Sequence, residues 1–318
     1  MTKKSPDNLI LGFDVGATKI ISFIADISGH IYKKAYEKTE TGGSVDILIN
    51  QLWVLKGKVV TEKRYKLVKC VSIAFPGIIS KGKVIYSPNL PNMANVNFSK
   101  LLASKFHKKI YIENDANAQA LAKKIFGKGQ KIKNFVYMTI GSGIGGAIII
   151  DDKLYKGFNG LAGEIGHTVI MAGGPLCGCN RHGCVEALAS GLSISRRAKE
   201  RLSESNTTLK KMPLTEIDAK TIFNAKKEGD PLAIKVIEDT AEYIAICIAN
   251  IINILDPEAI VIGGGITKNN EDFIKMIRNK VKPELGFYTR NVKIIRVSEK
   301  LIEKAPIATV RYYKNLFM

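Results

Sequence analysis

Leu9-Ile10-Leu11-Gly12-Phe13-Asp14-Val15-Gly16-Ala17-Thr18-Lys19-Ile20-Ile21-Ser22-Phe23-Ile24-Ala25-Asp26 decides the fold, because its layout returns about 125 residues later. In the first copy an apolar strand meets the turn Val15 to Thr18 and a second strand runs from Lys19 to Asp26. A further turn at Ile27-Ser28-Gly29-His30 then leads into Ile31-Tyr32-Lys33-Lys34. In the second copy Phe135-Val136-Tyr137-Met138-Thr139-Ile140 meets Gly141-Ser142-Gly143-Ile144-Gly145-Gly146. Then come Ala147 to Asp151, a turn at Asp152-Lys153 and Leu154-Tyr155-Lys156. Each copy reads strand, glycine turn, strand, short turn, strand. The repetition predicts a duplicated fold with one copy per domain.

The rest of the chain alternates strands and helices. Val68 to Phe75 reads as a strand ending at Pro76-Gly77, and Lys109 to Ile112 as one ending at Glu113-Asn114-Asp115. Glu258 to Ile262 runs into Gly263-Gly264-Gly265, and Val292 to Val297 is the last strand. Helices are expected over Asn117 to Phe126 with Gly127 at the C-cap, Ser190 to Leu202, Asp218 to Lys227 and Phe273 to Val281. Asp230-Pro231, a cap followed by a first-turn proline, opens a long helix to Ile254. Strands joined by crossover helices make the class α/β.

At 318 residues, 46% of them hydrophobic and 24% charged, the chain has material for two soluble domains. The apolar run Tyr243 to Leu255 is too short to span a bilayer and follows Glu238, Asp239 and Glu242, so it reads as a buried helix. Met1 to Asn8 is polar and unlike a signal peptide, so a cytoplasmic protein is expected. The net charge of +19 would suit a nucleic-acid partner or anionic substrates such as ATP, but it reads first as a lysine-rich bias spread over the surface. Its lysines are scattered in pairs, from Lys33-Lys34 to Lys226-Lys227, with no aromatic interleaving, which argues against a nucleic-acid partner.

A second signal is chemical. Gly163-Glu164-Ile165-Gly166-His167 is followed by Cys177-Gly178-Cys179-Asn180-Arg181-His182-Gly183-Cys184-Val185-Glu186. Three thiols and an imidazole with glycines between them suit a closed tetrahedral Zn²⁺ site of structural type. A disulfide is the alternative, disfavoured in a cytosolic chain. His167 is the expected fourth ligand, since His182 lies inside the cysteine loop; Cys70 and Cys247 sit in apolar runs and read as core. Glu164 and Glu186 flank the cluster without being needed to fill it.

Gly141, Gly143 and Gly146 match a G-x-G-x-x-G spacing, but a strand follows rather than a helix, so this is a hairpin tip and not a dinucleotide fingerprint. Bare N–H groups at such a tip can cradle phosphate oxygens. The other tip, Asp14 to Lys19, joins a carboxylate, a glycine, a hydroxyl and an amine; Asp14 suits a Mg²⁺ shell, and Gly16 and Thr18 offer donors to phosphate. Two such tips suggest a clamp on a nucleoside triphosphate, with Gly263-Gly264-Gly265 admitting adenosine.

These motifs together resemble the ROK (repressor, open reading frame, kinase) family of the actin/hexokinase-like, ribonuclease H-like superfamily, from about Ile10 to Val297. The resemblance rests on Asp14 to Lys19, Glu113-Asn114-Asp115-Ala116-Asn117-Ala118, Gly141 to Gly146, Glu164-Ile165-Gly166-His167 and the cysteine run to Glu186. It implies two domains around a central cleft: residues 1–115 with about 298–318, and residues 116–297 with the cysteine motif. It implies an ATP-dependent sugar kinase with Asp115 as catalytic base. Gly77, Asn114, Asp115, Glu164, His167 and Glu186 would hold the sugar, and His167, Cys177, Cys179 and Cys184 the Zn²⁺. Asp14, Gly16, Thr18, Lys19, Thr139, Gly141, Gly143 and Gly263 to Gly265 would hold ATP and Mg²⁺. Read from the residues alone, Asp115 could instead be the N-cap of the helix that follows.

Ser87-Pro88-Asn89-Leu90-Pro91-Asn92 and Gly183 to Gly191 look most like glucokinases, although Met93-Ala94 stands where those have a tryptophan. Glucose is therefore the expected acceptor, with N-acetylglucosamine or N-acetylmannosamine as runners-up. The family also contains sugar-sensing repressors with a winged-helix domain ahead of the body. A first strand near residue 9 leaves no room for one, so an enzyme is expected over a sugar-responsive regulator. A dimer or tetramer is expected as well. Ala305-Pro306-Ile307-Ala308-Thr309-Val310 lacks the glycines usual in the family, which predicts altered helix packing there.

Overall fold

A computed structural model describes residues 8–203, 206–286, 291–297 and 299–315. The chain forms two units. The first runs to Lys131, regains Lys156–Ala162 and takes the C-terminal stretch from Lys300; the second is Ile132–Tyr155 with Gly163–Glu299. The break expected after Asp115 therefore falls at Lys131, because helix Asp115–Phe126 packs on the C-terminal helix Ala305–Asn315. Positions 1–7, 298 and 316–318 of the expected first domain lie outside the described residues.

In the first unit β1 (Leu9–Val15), β2 (Lys19–Asp26) and β3 (Ile31–Lys38) form an antiparallel meander. β4 (Val68–Phe75) joins β1 in parallel. After the small hairpin β5 (Ile78–Ser80) and β6 (Lys83–Tyr86), β7 (Lys109–Asn114) adds in parallel to β4. The order is β3-β2-β1-β4-β7. The second unit repeats it with β8 (Phe135–Ile140), β9 (Ile144–Ile150), β10 (Lys153–Tyr155), β11 (Ala259–Gly263) and β12 (Lys293–Arg296), in the order β10-β9-β8-β11-β12 and with the same parallel and antiparallel pairings. The duplication expected from the two glycine-turn runs is present strand for strand.

Alternation explains the layering. Leu9, Leu11, Phe13 and Val15 of β1 face a core with Leu48, Leu52 and Leu55 of helix Val45–Val59 and Phe98, Leu102 and Phe106 of helix Phe98–Phe106. Ile10, with Phe23 and Cys70, faces the other way, onto Ile307 and Val310 of the C-terminal helix. That helix seats without the family glycines: Ala305, Ile307, Ala308 and Val310 are fully buried, and the Ser72 hydroxyl donates to the Pro306 carbonyl at 2.7 Å. In the second unit Val136, Met138, Ile140, Ile260 and Ile262 pack under helix Pro231–Leu255, whose N-cap Asp230 accepts from the Ala233 N–H, as expected. Cys70 and Cys247 are core residues. Among the described residues no helix is long and apolar enough to cross a membrane.

Candidate functional site

Three parallel strands of the first unit end together. The pairs Asp14↔Ala74 and Phe75↔Asn114 bring Asp14, Pro76-Gly77 and Asn114-Asp115 to one edge of the sheet. The carboxyl ends of parallel strands are where open α/β sheets hold ligands. Gly77 adopts φ +120°, and a Cβ there would lie 2.3 Å from the Tyr86 carbonyl oxygen, so only glycine fits. Its own carbonyl accepts from the Asn114 Nδ2 at 2.9 Å. The cap of helix Asp115–Phe126 is Asn114, whose Oδ1 accepts from the Asn117 N–H at 3.0 Å. Asp115 is the first helical residue, and capping is therefore not its task. Its Oδ1 accepts from the Ala116 N–H at 2.8 Å and from the Asn114 Nδ2 at 3.2 Å, which fixes the half-buried carboxylate at the strand edge.

Burial, reinforced by the like charge of Asp115 and only partly relieved by Lys19, pushes the Asp14 carboxyl up to about 7. A cation at this edge would relieve both effects. The turn after Asp14 differs from expectation. The Gly16 N–H closes the turn on the Lys19 carbonyl at 2.9 Å, and the Gly16 carbonyl accepts from the Thr39 hydroxyl, so this amide is not a phosphate donor. Thr18 is exposed, and Lys19 lies over the Tyr36 ring, its Nζ 5.7 Å from the centroid.

In the second unit Thr139 and Gly263 pair across β8 and β11, placing the 141–143 tip and the glycine run Gly263-Gly264-Gly265 at one edge. Gly264 has φ +98°, and a Cβ would stand 2.3 Å from the Ile140 carbonyl oxygen, so the two edges can meet this closely only at glycine. The Gly141 N–H bonds the Gly143 carbonyl at 2.9 Å. The Ile144 N–H bonds Oε2 of Glu186, also at 2.9 Å. No acceptor among the described residues takes the N–H of Ser142 or Gly143, which leaves these two as the donors of the tip.

Glu186 reaches this position from helix Val185–Ala189, which starts directly after Cys184. Its other oxygen lies 3.9 Å from the Cys177 sulfur. His167, Cys177, Cys179 and Cys184 place one ligand atom each within 4.8 Å of one another. Two edges of that group, Cys177 Sγ to His167 Nδ1 and Cys179 Sγ to Cys184 Sγ, measure 3.6 Å. A Zn–S bond of about 2.3 Å gives tetrahedral edges of about 3.8 Å, so donor type and spacing both fit Zn²⁺. Burial pushes the Cys177 thiol up to about 12, a cost that a bound cation removes by taking the thiolate. His182 turns away, with Nδ1 2.9 Å from the Gly174 carbonyl oxygen. Burial of the Glu164 carboxyl raises its pKa above the ordinary carboxylate value, and the Glu186 carboxylate adds to the effect.

Beside Gly265, where the glycine run is expected to admit adenosine, lies a cavity of about 390 Å³ lined also by Lys220, Phe223, Asn224, Lys227, Ile266 and Lys268. Its volume is that of a small-molecule site. Its walls come from helix Ala219–Lys227 and the loop after β11, remote in sequence, so the glycine run is visible in the sequence and the placing of that helix opposite it is not.

The model of the ROK family matches residues 10–308. A glucokinase of Thermotoga maritima is 34% identical over 283 residues, covering 87% of this chain and 88% of that protein. A xylose repressor of Caldicellulosiruptor bescii is 31% identical over 310 residues, covering 95% of this chain and 77% of the repressor. The solved structure of a ROK family glucokinase from Streptomyces griseus, in complex with glucose and AMPPNP, superposes with a TM-score of 0.80 at 27% identity, covering 95% of this chain and 98% of that one.

Proposed function

The chain belongs to the ROK family, and from that premise we propose that it is an ATP-dependent sugar kinase that transfers the γ-phosphoryl group to a hexose, glucose first, at O6. The carrying observation is the first-unit edge where Asp115 is held by Asn114 and faces the elevated Asp14. A carboxylate fixed at a strand end is placed to take the hydroxyl proton as the acceptor oxygen attacks. Phosphoryl transfer asks little else of a protein beyond positioning and charge.

Asn114 and Asp115 bond sugar hydroxyls in this reading, as do Glu164, His167 and Glu186. Such bonds reject sugars lacking a hydroxyl, because the protein group would be left unpaired. Ser142 and Gly143 donate to phosphate oxygens, and the cavity beside Gly265 takes adenosine. Its lysines and the net charge of +19 favour a polyanion. Asp14 holds the Mg²⁺ that accompanies the triphosphate. His167, Cys177, Cys179 and Cys184 hold a structural Zn²⁺, which supplies rigidity to the loop carrying Glu186.

The test is a panel of sugars with ATP in a coupled assay. Glucose should exceed N-acetylglucosamine in kcat/KM by at least about tenfold, or roughly 1.4 kcal/mol of transition-state binding. An amino sugar turned over as fast as glucose would replace glucose by the N-acetylhexosamine reading. The repressor relative motivates a second reading, a sugar-responsive regulator. Sugar binding with no turnover of any member of the panel would select it.

A further inference from the structure

Glu113 is fully buried at the end of β7, directly before Asn114 and Asp115. Its carboxylate gathers four donors. Oε1 accepts from the Asn114 N–H at 3.0 Å and from the Asn117 Nδ2 at 3.1 Å, both in the turn that carries Asp115. Oε2 accepts from the Lys156 Nζ at 2.9 Å and from the Tyr313 hydroxyl, and these two also touch each other, at 3.2 Å. Lys156 opens the segment that rejoins the first unit, and Tyr313 lies on the C-terminal helix. One oxygen thus holds the turn while the other is held by two distant stretches of chain.

Such a group is costly as mere filling. A buried ion pair is often less stable than an apolar side chain of the same size, so what it adds is geometry. Here the geometry leads to one place. Glu113 bonds the Asn114 N–H, Asn114 bonds Gly77 and Asp115, and Asp115 stands at the strand edge. The Tyr313 phenol stays protonated, because burial and the adjacent carboxylate both raise its pKa, so it remains a donor.

We infer that Glu113 is a positioning residue for Asp115, and that Lys156 and Tyr313 make the C-terminal helix and the 156–162 segment part of the apparatus that aims the base. The inference deepens the kinase reading and rests on it for its kinetic arm. Glu113→Gln keeps the shape and removes the charge. It should lower kcat roughly tenfold to a hundredfold, with KM for the sugar within about threefold, because aim is lost while binding groups stay. Tyr313→Phe, which deletes one hydroxyl, should act in the same direction more weakly and guards against misfolding of the first variant. Lys156→Met should lose more than the Glu113→Gln/Lys156→Met pair, since only the single variant strands a buried carboxylate.

Amide hydrogen exchange supplies a readout independent of catalysis. Residues 114–117 should exchange faster in Glu113→Gln and in Tyr313→Phe, while β8 and β11 keep their protection. Unchanged exchange at 114–117 would overturn the inference, as would kcat within twofold of wild type or additive effects of Glu113 and Lys156. If wild type turns over no sugar, the kinase reading fails, and the exchange comparison still decides the positioning role.

Discussion

At the first hairpin tip the carboxylate is Asp14, part of β1 itself; at the second it is Glu186, which reaches Ile144 from 42 residues farther along the chain. The strand ends continue the contrast. β7 finishes on Asn114 and leads into Asp115, whereas its counterpart β12 finishes on Arg296, tied to Glu271 at 2.8 Å. The same five-stranded plan thus carries the carboxylate of its hairpin tip locally in one copy and imports it in the other. Duplication supplies the strand scaffold twice, and the chemistry differs where the strand ends and the segments between the strands diverge. In the second copy the ends of β8 and β11 run into glycines, and Glu186 reaches the tip after β8 from the helix that starts directly after the cysteine and histidine cluster.

The sharpest way to break this contrast is Asp115→Asn. If the reacting base belongs to the first copy, kcat should fall by roughly 10²–10⁴ while sugar affinity stays within a few fold. Turnover near wild type would move the chemistry elsewhere.

A smaller effect should follow from disturbing the second copy. Elemental analysis should find about one Zn per chain, and Cys177→Ser or a strong chelator should remove it. With Glu186 no longer steadied beside Cys177, the tip at Ile144 loosens, and the affinities for both sugar and ATP should weaken by about tenfold or more. Protein lacking metal but binding both substrates normally would show that the imported carboxylate needs no staple.

The smallest effect is on stability, and it returns to the first tip. Asp14 titrates near 7 in the folded chain against 3.8 ordinarily, so between these values the native state holds a proton that the unfolded state has released. The contribution of this group to stability is therefore fully present below about pH 4 and is lost as pH rises through about 7. Asp14→Asn should match wild type in Tm at about pH 4 and exceed it by a few degrees at about pH 8, at the expense of activity. A Tm difference that does not change with pH would mean that burial and Asp115 do not perturb the carboxyl.

What could be read from sequence follows from the range of the signal. The repeated strand-turn-strand runs, the cap at Asp230 and the closely spaced cysteines are local patterns, and each appears where it was expected. Helix Val45–Val59 was not read, since its buried face includes Gln51 and Lys56 and so interrupts the apolar period; Lys56 is sheltered by Trp53, 3.9 Å from its ring centre, and by Glu62. The role of Asn114 as cap was missed because Asp115 beside it is an equally good capping type. The bonds from Ile144 to Glu186 and from Tyr313 to Glu113 join residues 42 and 200 positions apart, and no spacing rule reaches that far.

The seating of the C-terminal helix also sets an order of events during synthesis. The fully buried core of the second unit lies within residues 136–281, so all of it has been synthesised before the helix at Ala305–Asn315 exists. The first unit was begun earlier yet is finished later: Ile10, Phe23 and Cys70 wait for Ile307 and Val310, and Glu113 waits for Tyr313. A nascent chain therefore carries one uncovered sheet face until the helix at Ala305–Asn315 has been made, and the turn that carries Asp115 is tied to that helix only then.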